Sequence, residues 1–436
     1  MSFLHHSSAV AVQSALDLWM SKNTNVSVID TKKEPCKAVV GVTQTSTQVQ
    51  FRIHGTSAYI DTNGIELDCT FRITSSDGKA LAANESDVAP VNYIMHSMWE
   101  QASLSIGNTP ITQSSMTYPY RAYLEAVLSY DRPAKVSHMG MRLYSKDTAG
   151  HMDSFTGDDN AGLAERRRRT ANSKIVKVRG PLHLDFLNQE KYLLPNTDLE
   201  IKLSRGKDSF ALMSTAQSEK IEILDATLWV PRVTVSPSIC LAHAKALEHS
   251  PARYPFTRTS IKTVTIPGGL RDKSIPNVFM GPVPNRVTVM FVSNVAYNGS
   301  YRHNPFNCHH FDLYNLSLFV DTDQYPAIPL TPDFANEQWT DAYSTLFSET
   351  GIHFKDEGND ISYDDYGKGY TIFCFDLTPD KSAHEGHWNL QRQGVVRLEM
   401  RFKVQLPAAV NCIIYSEFDN ILEIDKNRQV IVDYSV

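Results

Sequence analysis

Residues 305–326 read PFNCHHFDLYNLSLFVDTDQYP, and residues 90–110 read PVNYIMHSMWEQASLSIGNTP. Both segments begin with Pro-x-Asn, carry a histidine within their first seven residues, continue to Leu-Ser followed by Leu or Ile, and end on proline. The spacing is nearly constant, with 305 − 90 = 215 residues between the first prolines and 316 − 104 = 212 between Leu104 and Leu316. A near-constant offset with small drifts indicates two copies of one fold whose loops differ in length.

The sequence around both segments is typical of short β-strands. In residues 48–53, QVQFRI, the apolar Val49, Phe51 and Ile53 alternate with polar side chains, which is the period of two that one buried sheet face requires. Similar runs recur along the chain and are separated by Gly, Pro, Asn and Asp. Helical patterns are rare. The sequence therefore predicts an all-β protein made of antiparallel sandwiches.

Three helices are predicted between the strands. Residues 117–131 carry apolar side chains at i, i+3, i+4, i+7 and i+8, namely Tyr120, Tyr123, Leu124, Val127 and Leu128. A weaker pattern of the same kind lies in residues 331–351, with Gly351 as its stop. The third helix is predicted in residues 238–251, near the middle of the chain, and Pro237 and Pro251 bound it.

This third helix divides the predicted organisation. We expect an N-terminal arm (1–45), a first sandwich (46–237), the linker helix (238–251), a second sandwich (252–425) and a C-terminal tail (426–436).

Composition limits the function classes. The 436 residues include 42 Lys and Arg against 48 Asp and Glu, a net charge of −6, which excludes a global basic field for wrapping nucleic acid. No apolar run is long enough for a membrane span, and the N-terminus does not read as a signal peptide. The six cysteines are scattered and form no CxxC pair, which favours a reducing compartment. We expect a protein of the cytosol or nucleus that is not secreted.

Cys308, His309 and His310 are adjacent and are metal-ligand residue types. The first copy of the repeat has only His96 at this place, and neighbouring histidines on a strand point to opposite faces. The pattern therefore favours strand or subunit-contact histidines over a metal site. Residues 384–387, HEGH, fall one residue short of HExxH, and no nucleotide-binding or hydrolase motif is present. We expect no catalytic residues, no metal and no cofactor, and hence no enzyme.

Arg166, Arg167, Arg168 and Arg169 form the one strong charge run. Adjacent guanidinium groups repel each other unless they are solvated or paired with acids or phosphate. Three roles remain open: a solvated loop, a salt-bridge patch between subunits, and a nucleic-acid contact or nuclear-import signal. Because the protein as a whole is acidic, we favour the contact between subunits.

The termini are candidates for contacts between assembled copies, since chain ends need anchoring to be ordered. In the tail, Val430, Val432 and Tyr434 alternate with other side chains, so this segment is predicted to add a strand to a neighbour's sheet edge.

Several longer segments carry a family resemblance. They include residues 90–99 and 117–131, DTAGHMDSF at 147–155, GYTIFCFDLTPD at 369–380, HWNLQRQGVVRLEMRF at 387–402, and the closing VNCIIYSEFDNILEIDKNRQVIVDY at 410–434. From about residue 85 to the C-terminus, the sequence resembles the major capsid proteins of Polinton/Maverick elements and adintoviruses.

The resemblance implies a double jelly roll, that is, two tandem eight-stranded antiparallel sandwiches with short helices in the loops. It further implies hexon-type homotrimers that act as pseudo-hexameric capsomers and tile an icosahedral shell around double-stranded DNA. The implied partners are other copies of the chain, a single jelly-roll vertex (penton) protein, minor capsid or cement proteins, and, indirectly, the packaged DNA. The implied location is the virion capsid, after assembly in the host cytosol or nucleus.

The alternative hypothesis is a tandem jelly-roll carbohydrate-binding protein or a domesticated host protein without enzymatic activity. It predicts an aromatic-lined groove, for which Tyr363, Tyr366 and Tyr370 are candidates.

Overall fold

The computed structural model describes residues 4–41, 46–81, 87–112 and 116–432. In the first half the strands are β1 (Val28–Lys37), β2 (Gln48–Ile53), β3 (Tyr59–Ile60), β4 (Glu66–Thr74), β5 (Ala89–Pro90), β6 (Trp99–Ile106), β7 (Thr109–Pro110), β8 (Val176–Gly180), β9 (Leu199–Arg205), β10 (Leu212–Met213) and β11 (Lys220–Val235). In the second half they are β12 (Ala252–Ile266), β13 (Asp272–Pro282), β14 (Arg286–Ser293), β15 (Leu313–Val320), β16 (Asp323–Leu330), β17 (Ile372–Asp376), β18 (Gln393–Phe402), β19 (Val410–Ile424) and β20 (Val430–Val432).

The helices lie between these strands. They are α1 (Ile94–Ser97), α2 (Tyr118–Ser129), α3 (Arg132–Val136), α4 (Ala161–Thr170), α5 (Asp208–Ala211), α6 (Pro237–His249), α7 (Asn294–Tyr297), α8 (Thr340–Ser348) and α9 (Tyr363–Tyr366). Helices α2, α6 and α8 confirm the three predicted from the sequence. Within the described ranges, every helix is too short or too polar to span a bilayer.

Each half folds into two antiparallel four-stranded sheets with one shared strand order. The first half has the orders β1-β11-β4-β8 and β2-β9-β6-β7, and the second half has β12-β19-β14-β17 and β13-β18-β15-β16. Strands β3 and β20 add to β11 and β19, and β5 pairs with β10 separately. Both halves are therefore eight-stranded jelly rolls, as the sequence resemblance implies.

The repeated segments occupy equivalent places in the two halves. Strand β6 contains Leu104 and β15 contains Leu316, and each strand is third in its sheet between partners of matching order. Both leucines are fully buried. Each copy is followed by a helix, α2 in the first half and α8 in the second. The internal repeat predicted from the sequence is thus confirmed by the topology.

Strand β17 shows how the loop helices complete the sheets. All five of its residues are buried although it is the last strand in its sheet order. Helix α8 lies against it, and the backbone N–H of Cys374 donates to the hydroxyl of Thr345 at 3.2 Å. A strand buried on both faces loses the alternation of apolar and polar side chains, which explains the unbroken apolar run in its sequence.

The two cores exchange elements. Helix α2 belongs to the chain's first half, yet its tyrosines pack with second-half rings: Tyr123 stacks on Phe306 with centroids 4.2 Å apart, and Tyr120 stacks on Tyr297 at 5.5 Å. In return, Tyr254 of β12 and Leu422 of β19 are buried in the first core. The two sandwiches are therefore locked together by apolar contacts in both directions.

The predicted limits of the sandwiches need correction at both ends. Residues 28–37, expected within the arm, form β1 and pair with β11. Their sequence gave no alternation because nearly every side chain of this edge strand is exposed, so that backbone hydrogen bonds hold it. At the other end, β20 extends the second sandwich past residue 425 by pairing with β19.

Candidate assembly surfaces

A buried ionic cluster joins helix α2 to both sandwiches. Arg121 Nε donates to Glu125 Oε1 at 2.8 Å, and its Nη1 lies 2.7 Å from Asp185 Oδ1. The same Asp185 oxygen accepts a hydrogen bond from the backbone N–H of Thr259, in β12, at 3.0 Å. All three charged side chains are largely shielded from solvent. The cluster therefore ties helix α2 to both sandwiches through charged contacts that solvent screens only weakly.

Glu125 is the anionic centre of this cluster. Its Oε2 lies 2.6 Å from His183 Nδ1, and the Tyr415 hydroxyl of β19 donates to its Oε1 at 3.3 Å. Burial alone would raise the pKa of Glu125, but Arg121 and His183 outweigh that effect and lower the pKa to about 2. The carboxylate is thus ionised at neutral pH and holds partners from both halves of the chain.

Arg166, the first of the four consecutive arginines, is a buried structural residue. Its side chain is 0% exposed, with Nε donating to the Pro90 carbonyl at 2.9 Å and Nη2 to Asp147 Oδ1 at 2.6 Å, and it also bonds the Ser145 carbonyl. The predicted contact with another subunit or with nucleic acid is therefore wrong for Arg166. The physical reason is that this run forms helix α4, whose turn directs one arginine inward.

Two further arginines of the run are tied to the body of the protein. Arg167 Nη2 donates to the carbonyls of Phe155 and Asp87 at 2.8 and 3.0 Å, and Arg169 Nη1 donates to the Gly140 carbonyl at 2.8 Å. Backbone carbonyl groups of the same chain therefore accept the hydrogen bonds for which the sequence predicted an acid or a phosphate of another molecule.

Arg168 is the most exposed of the four. Its side chain is 71% exposed and makes two hydrogen bonds to Glu165 one turn earlier, at 2.8 and 2.9 Å. An exposed pair of this kind contributes little to stability and leaves the guanidinium accessible. The contact between subunits stays a prediction for Arg168.

The ligand-type residues before β15 do not converge. Cys308 is fully buried with its Sγ 3.5 Å from Met290 Sδ, whereas the His310 ring stacks on Phe334 with centroids 4.1 Å apart. Burial lowers the pKa of both His309 and His310, which favours their neutral forms. In the described part of the chain, no group of three His, Cys, Asp or Glu residues is placed to hold a metal ion. The three residues lie in a loop, so the expected strand is wrong here.

The tyrosines that could line a sugar-binding groove are mostly internal. Tyr366 is 0% exposed and donates to the Ile372 carbonyl, and Tyr370 is 2% exposed and donates to the Asp147 carbonyl. Tyr363 stacks on Trp339. An aromatic groove built from these residues is therefore contradicted, because two of the three rings are core residues.

The two termini differ in how they meet the body. In the tail, Val430 and Val432 pair with Ile424 and Leu422 of the same chain, so the predicted strand joins the chain's own sheet rather than a neighbour's, because β20 follows β19 closely enough to pair with it. Tyr434 lies outside the described residues. Every residue from 4 to 26 is exposed, and the arm carries the apolar side chains Leu4, Val10, Val12, Leu16, Leu18, Trp19, Met20 and Val26. The contact of this arm with other copies of the chain stays a prediction.

Sequence reasoning missed the ionic cluster of α2. A signal was present, because Arg121 and Glu125 are spaced i, i+4 and flank the apolar stripe of the predicted helix. Their common partner Asp185 lies 60 residues further along, and only the fold brings it near.

The geometry agrees with comparisons to known proteins. No protein-family model matches the sequence. Among curated proteins, an uncharacterized protein of Caenorhabditis elegans is 27% identical over 390 residues, which cover 86% of this chain and 90% of that protein.

Solved structures match over nearly the whole chain. A chain of the Sputnik virophage structure has a TM-score of 0.65 at 15% identity, covering 98% of this chain and 94% of that one. The PBCV-1 virus capsid model gives 0.52 at 10% identity (95% and 99%), and the mavirus major capsid protein gives 0.50 at 11% identity (100% and 97%). The chain has the double jelly-roll fold found in viral major capsid proteins.

Proposed function

We propose that the chain is a major capsid protein of the Polinton/Maverick–adintovirus type, and that three copies form a pseudo-hexameric capsomer. One observation carries the proposal: a single chain contains two jelly rolls of identical strand order. Three such chains present six similar lobes, which suit a hexagonal lattice site under threefold symmetry. The likeness to the Sputnik virophage chain over 98% of the sequence supports this role.

The locked junction between the sandwiches supports the same function. A capsomer must present its lobes at fixed angles, since shell curvature depends on them. Helix α2 and the Arg121 cluster supply that rigidity, whereas α6, which has no buried residue, joins the sandwiches on the outside. We propose that the chain divides at α6 into the two lobes, with the arm before β1 available for contacts between copies.

The remaining partners follow from the proposed shell. They are a single jelly-roll vertex (penton) protein, minor capsid or cement proteins, and packaged double-stranded DNA that the shell surrounds. The net charge of −6 supports an indirect relation to the DNA. The site of action is then the virion, after assembly in the host cytosol or nucleus.

A mass measurement and negative-stain images of the protein expressed alone test the proposal. We expect a species of three times 49.0 kDa with a hexagonal outline, or closed shells. A protein that stays monomeric over a hundredfold range of concentration, and that forms no shell, contradicts the capsomer.

A domesticated host protein of the same fold is the second candidate, and the relative in an animal, C. elegans, favours it. It predicts stable monomers or dimers without shells, so the same experiment separates the two functions. The carbohydrate-binding alternative loses support because two of its three candidate tyrosines, Tyr366 and Tyr370, are buried.

A further inference from the structure

The two sandwiches leave a cleft of about 710 Å³ beside helix α2, which we call the junction cleft. Its lining includes Arg121, Asp185, Trp388 and Asp419. Its carboxylates outnumber its fixed cations six to two: Glu125, Asp185, Glu190, Glu385, Glu417 and Asp419 against Arg121 and Lys191. A cavity of this size accommodates several side chains of a ligand.

The two cations do not neutralise the cleft. Arg121 is shared between Glu125 and Asp185, so its single positive charge cannot balance both carboxylates, and His183, 2.6 Å from Glu125, adds a positive charge only when it is protonated. Lys191 directs its Nζ to the carbonyl of Arg253, at 2.9 Å, rather than to a carboxylate of the cleft.

The β19 wall adds further uncompensated charge. Glu417 is paired with Arg286 at 3.2 Å, but Asp419 and Glu190 form no ion pair with any residue in the described ranges. Burial raises the pKa of Asp419, and its hydrogen bond with Asn285 and the nearby His387 offset that effect only in part.

Asp185 supplies the observation that points to a ligand. Its side chain is 1% exposed, and its Oδ1 takes both the Arg121 contact and the Thr259 backbone N–H. Its Oδ2 is buried and has no hydrogen-bond partner among the described residues. A buried carboxylate oxygen without a donor is costly, and native proteins avoid it unless a bound group completes the site.

We propose that the junction cleft binds an arginine side chain of a basic peptide segment from a partner protein. A guanidinium offers five donors in a plane, so one side chain can donate to more than one oxygen at once. The candidate acceptors are the Asp419 carboxylate and the unpartnered Oδ2 of Asp185. Trp388, whose side chain is 54% exposed, lines the cleft and offers a face for cation–π stacking.

Other ligand classes fit the cleft less well. Nucleic acid carries the same sign of charge as the surplus carboxylates and is repelled. A divalent cation needs several ligating oxygens at one point, and no such group of three is found in the described part of the chain. A basic peptide complements the negative charge of the cleft and fits its volume.

Titration with short peptides tests the proposal on the whole soluble protein. The probe is acetyl-Gly-Arg-Gly-Arg-Gly-amide, and the matched peptide carries Glu in place of Arg. Calorimetry gives the affinity, and tryptophan fluorescence locates it, because Trp388→Phe removes the signal only if the peptide sits at the cleft. We expect binding of the arginine peptide and none of the glutamate peptide.

Two variants and a charge-matched control sharpen the result. Asp419→Asn with Glu190→Gln is expected to weaken binding roughly tenfold, since it removes two acids of the cleft that form no ion pair among the described residues. Asp185→Asn keeps Oδ1 and replaces the acceptor Oδ2 by an amide nitrogen. It is therefore expected to weaken binding of the arginine peptide as well. Asp323→Asn with Asp364→Asn removes two exposed charges elsewhere and is expected to leave binding unchanged.

The proposal is overturned if the arginine and glutamate peptides bind alike, or if the control variant weakens binding as much as the cleft variant. It is equally overturned if peptide-bound protein keeps its full fluorescence response after Trp388→Phe. These measurements do not require shells. The peptide-binding proposal can therefore be wrong while the capsid proposal stands, and the capsid proposal can be wrong while peptide binding is observed.

Discussion

Helices α2 and α6 both connect the two halves of the chain, α2 by packing and α6 by sequence, yet their surroundings are opposite. Helix α2 has nine buried residues and stacks Tyr123 on Phe306 of the second half, whereas α6 has none buried. The side chain of Leu241 on α6 is 59% exposed, and a hydrogen bond of 2.7 Å between Tyr59 and His243 holds the helix to the body. The contrast shows that the connecting helix is not the element that couples the lobes. The coupling lies in a helix inserted from a loop.

The strongest test of this contrast truncates one large apolar side chain on each helix. Tyr123→Ala is expected to lower the free energy of unfolding by about 4 kcal/mol, because it leaves a cavity between α2 and the second core. Leu241→Ala on α6 is expected to stay within about 0.5 kcal/mol, because the side chain is exposed. Urea unfolding of both variants measures the difference. Equal effects would mean that α2 does not couple the lobes.

The arginine run repeats the contrast within one helix. Arg166→Met is expected to cost about 3 kcal/mol, since it leaves Asp147 buried without its cation. Arg168→Met changes an exposed pair and is expected to cost less than about 0.5 kcal/mol. Thermal unfolding compares the two variants, and sedimentation shows whether the Arg168 variant loses trimers. We expect the Arg168 variant to lose trimers while keeping its stability, and trimers that persist would mean that Arg168 makes no contact between subunits.

The difference between Arg166 and Arg168 also shows what the sequence can and cannot predict. Alternation in β2, the stripe on α2 and the repeat around Leu104 and Leu316 are local or periodic, so they predict the strands, the helix and the duplication. Which arginine turns inward depends on Asp147, and a negative partner 19 residues away is invisible to local patterns. The tandem fold was therefore predictable, but the junction cleft was not.

Buried histidine beneath α2 predicts a dependence of stability on pH. His96 is 0% exposed, and burial, with His183 and Arg142 nearby, lowers its pKa well below the ordinary 6.5. In the unfolded chain the ring takes up a proton near pH 6.5, while in the folded protein it stays neutral. Protons therefore favour unfolding, and each pH unit below 6.5 costs about 1.4 kcal/mol from this residue until its folded pKa is reached.

Unfolding followed from pH 7.5 to 5.5 measures this slope, and His96→Gln is the variant that removes it. Glu125 affects stability in a lower pH range. Its pKa falls from 4.5 to about 2 on folding, so its contribution to the free energy of unfolding is present above pH 4.5 and is lost as the pH falls to about 2. If His96→Gln kept the wild-type dependence of the free energy of unfolding on pH between 6.5 and 5.5, the titrating group would be another residue, for example His309 or His310.

The smallest effect on stability and the clearest effect on assembly are expected at the exposed N-terminal arm. Deleting residues 1–27 keeps β1 and removes the arm, of which residues 4–26 are all exposed, so the free energy of unfolding should change by less than about 0.5 kcal/mol. Shell formation should fail, because the deletion removes the apolar side chains that we propose make contacts with other copies. Deleting residues 427–436 is the comparison at the other terminus: it removes β20, which pairs with β19 of the same chain, so this deletion is expected to lower the free energy of unfolding whereas the arm deletion is not. Electron microscopy of both truncations reads out assembly, and normal shells from the arm deletion would show that its exposed residues serve no contact between copies.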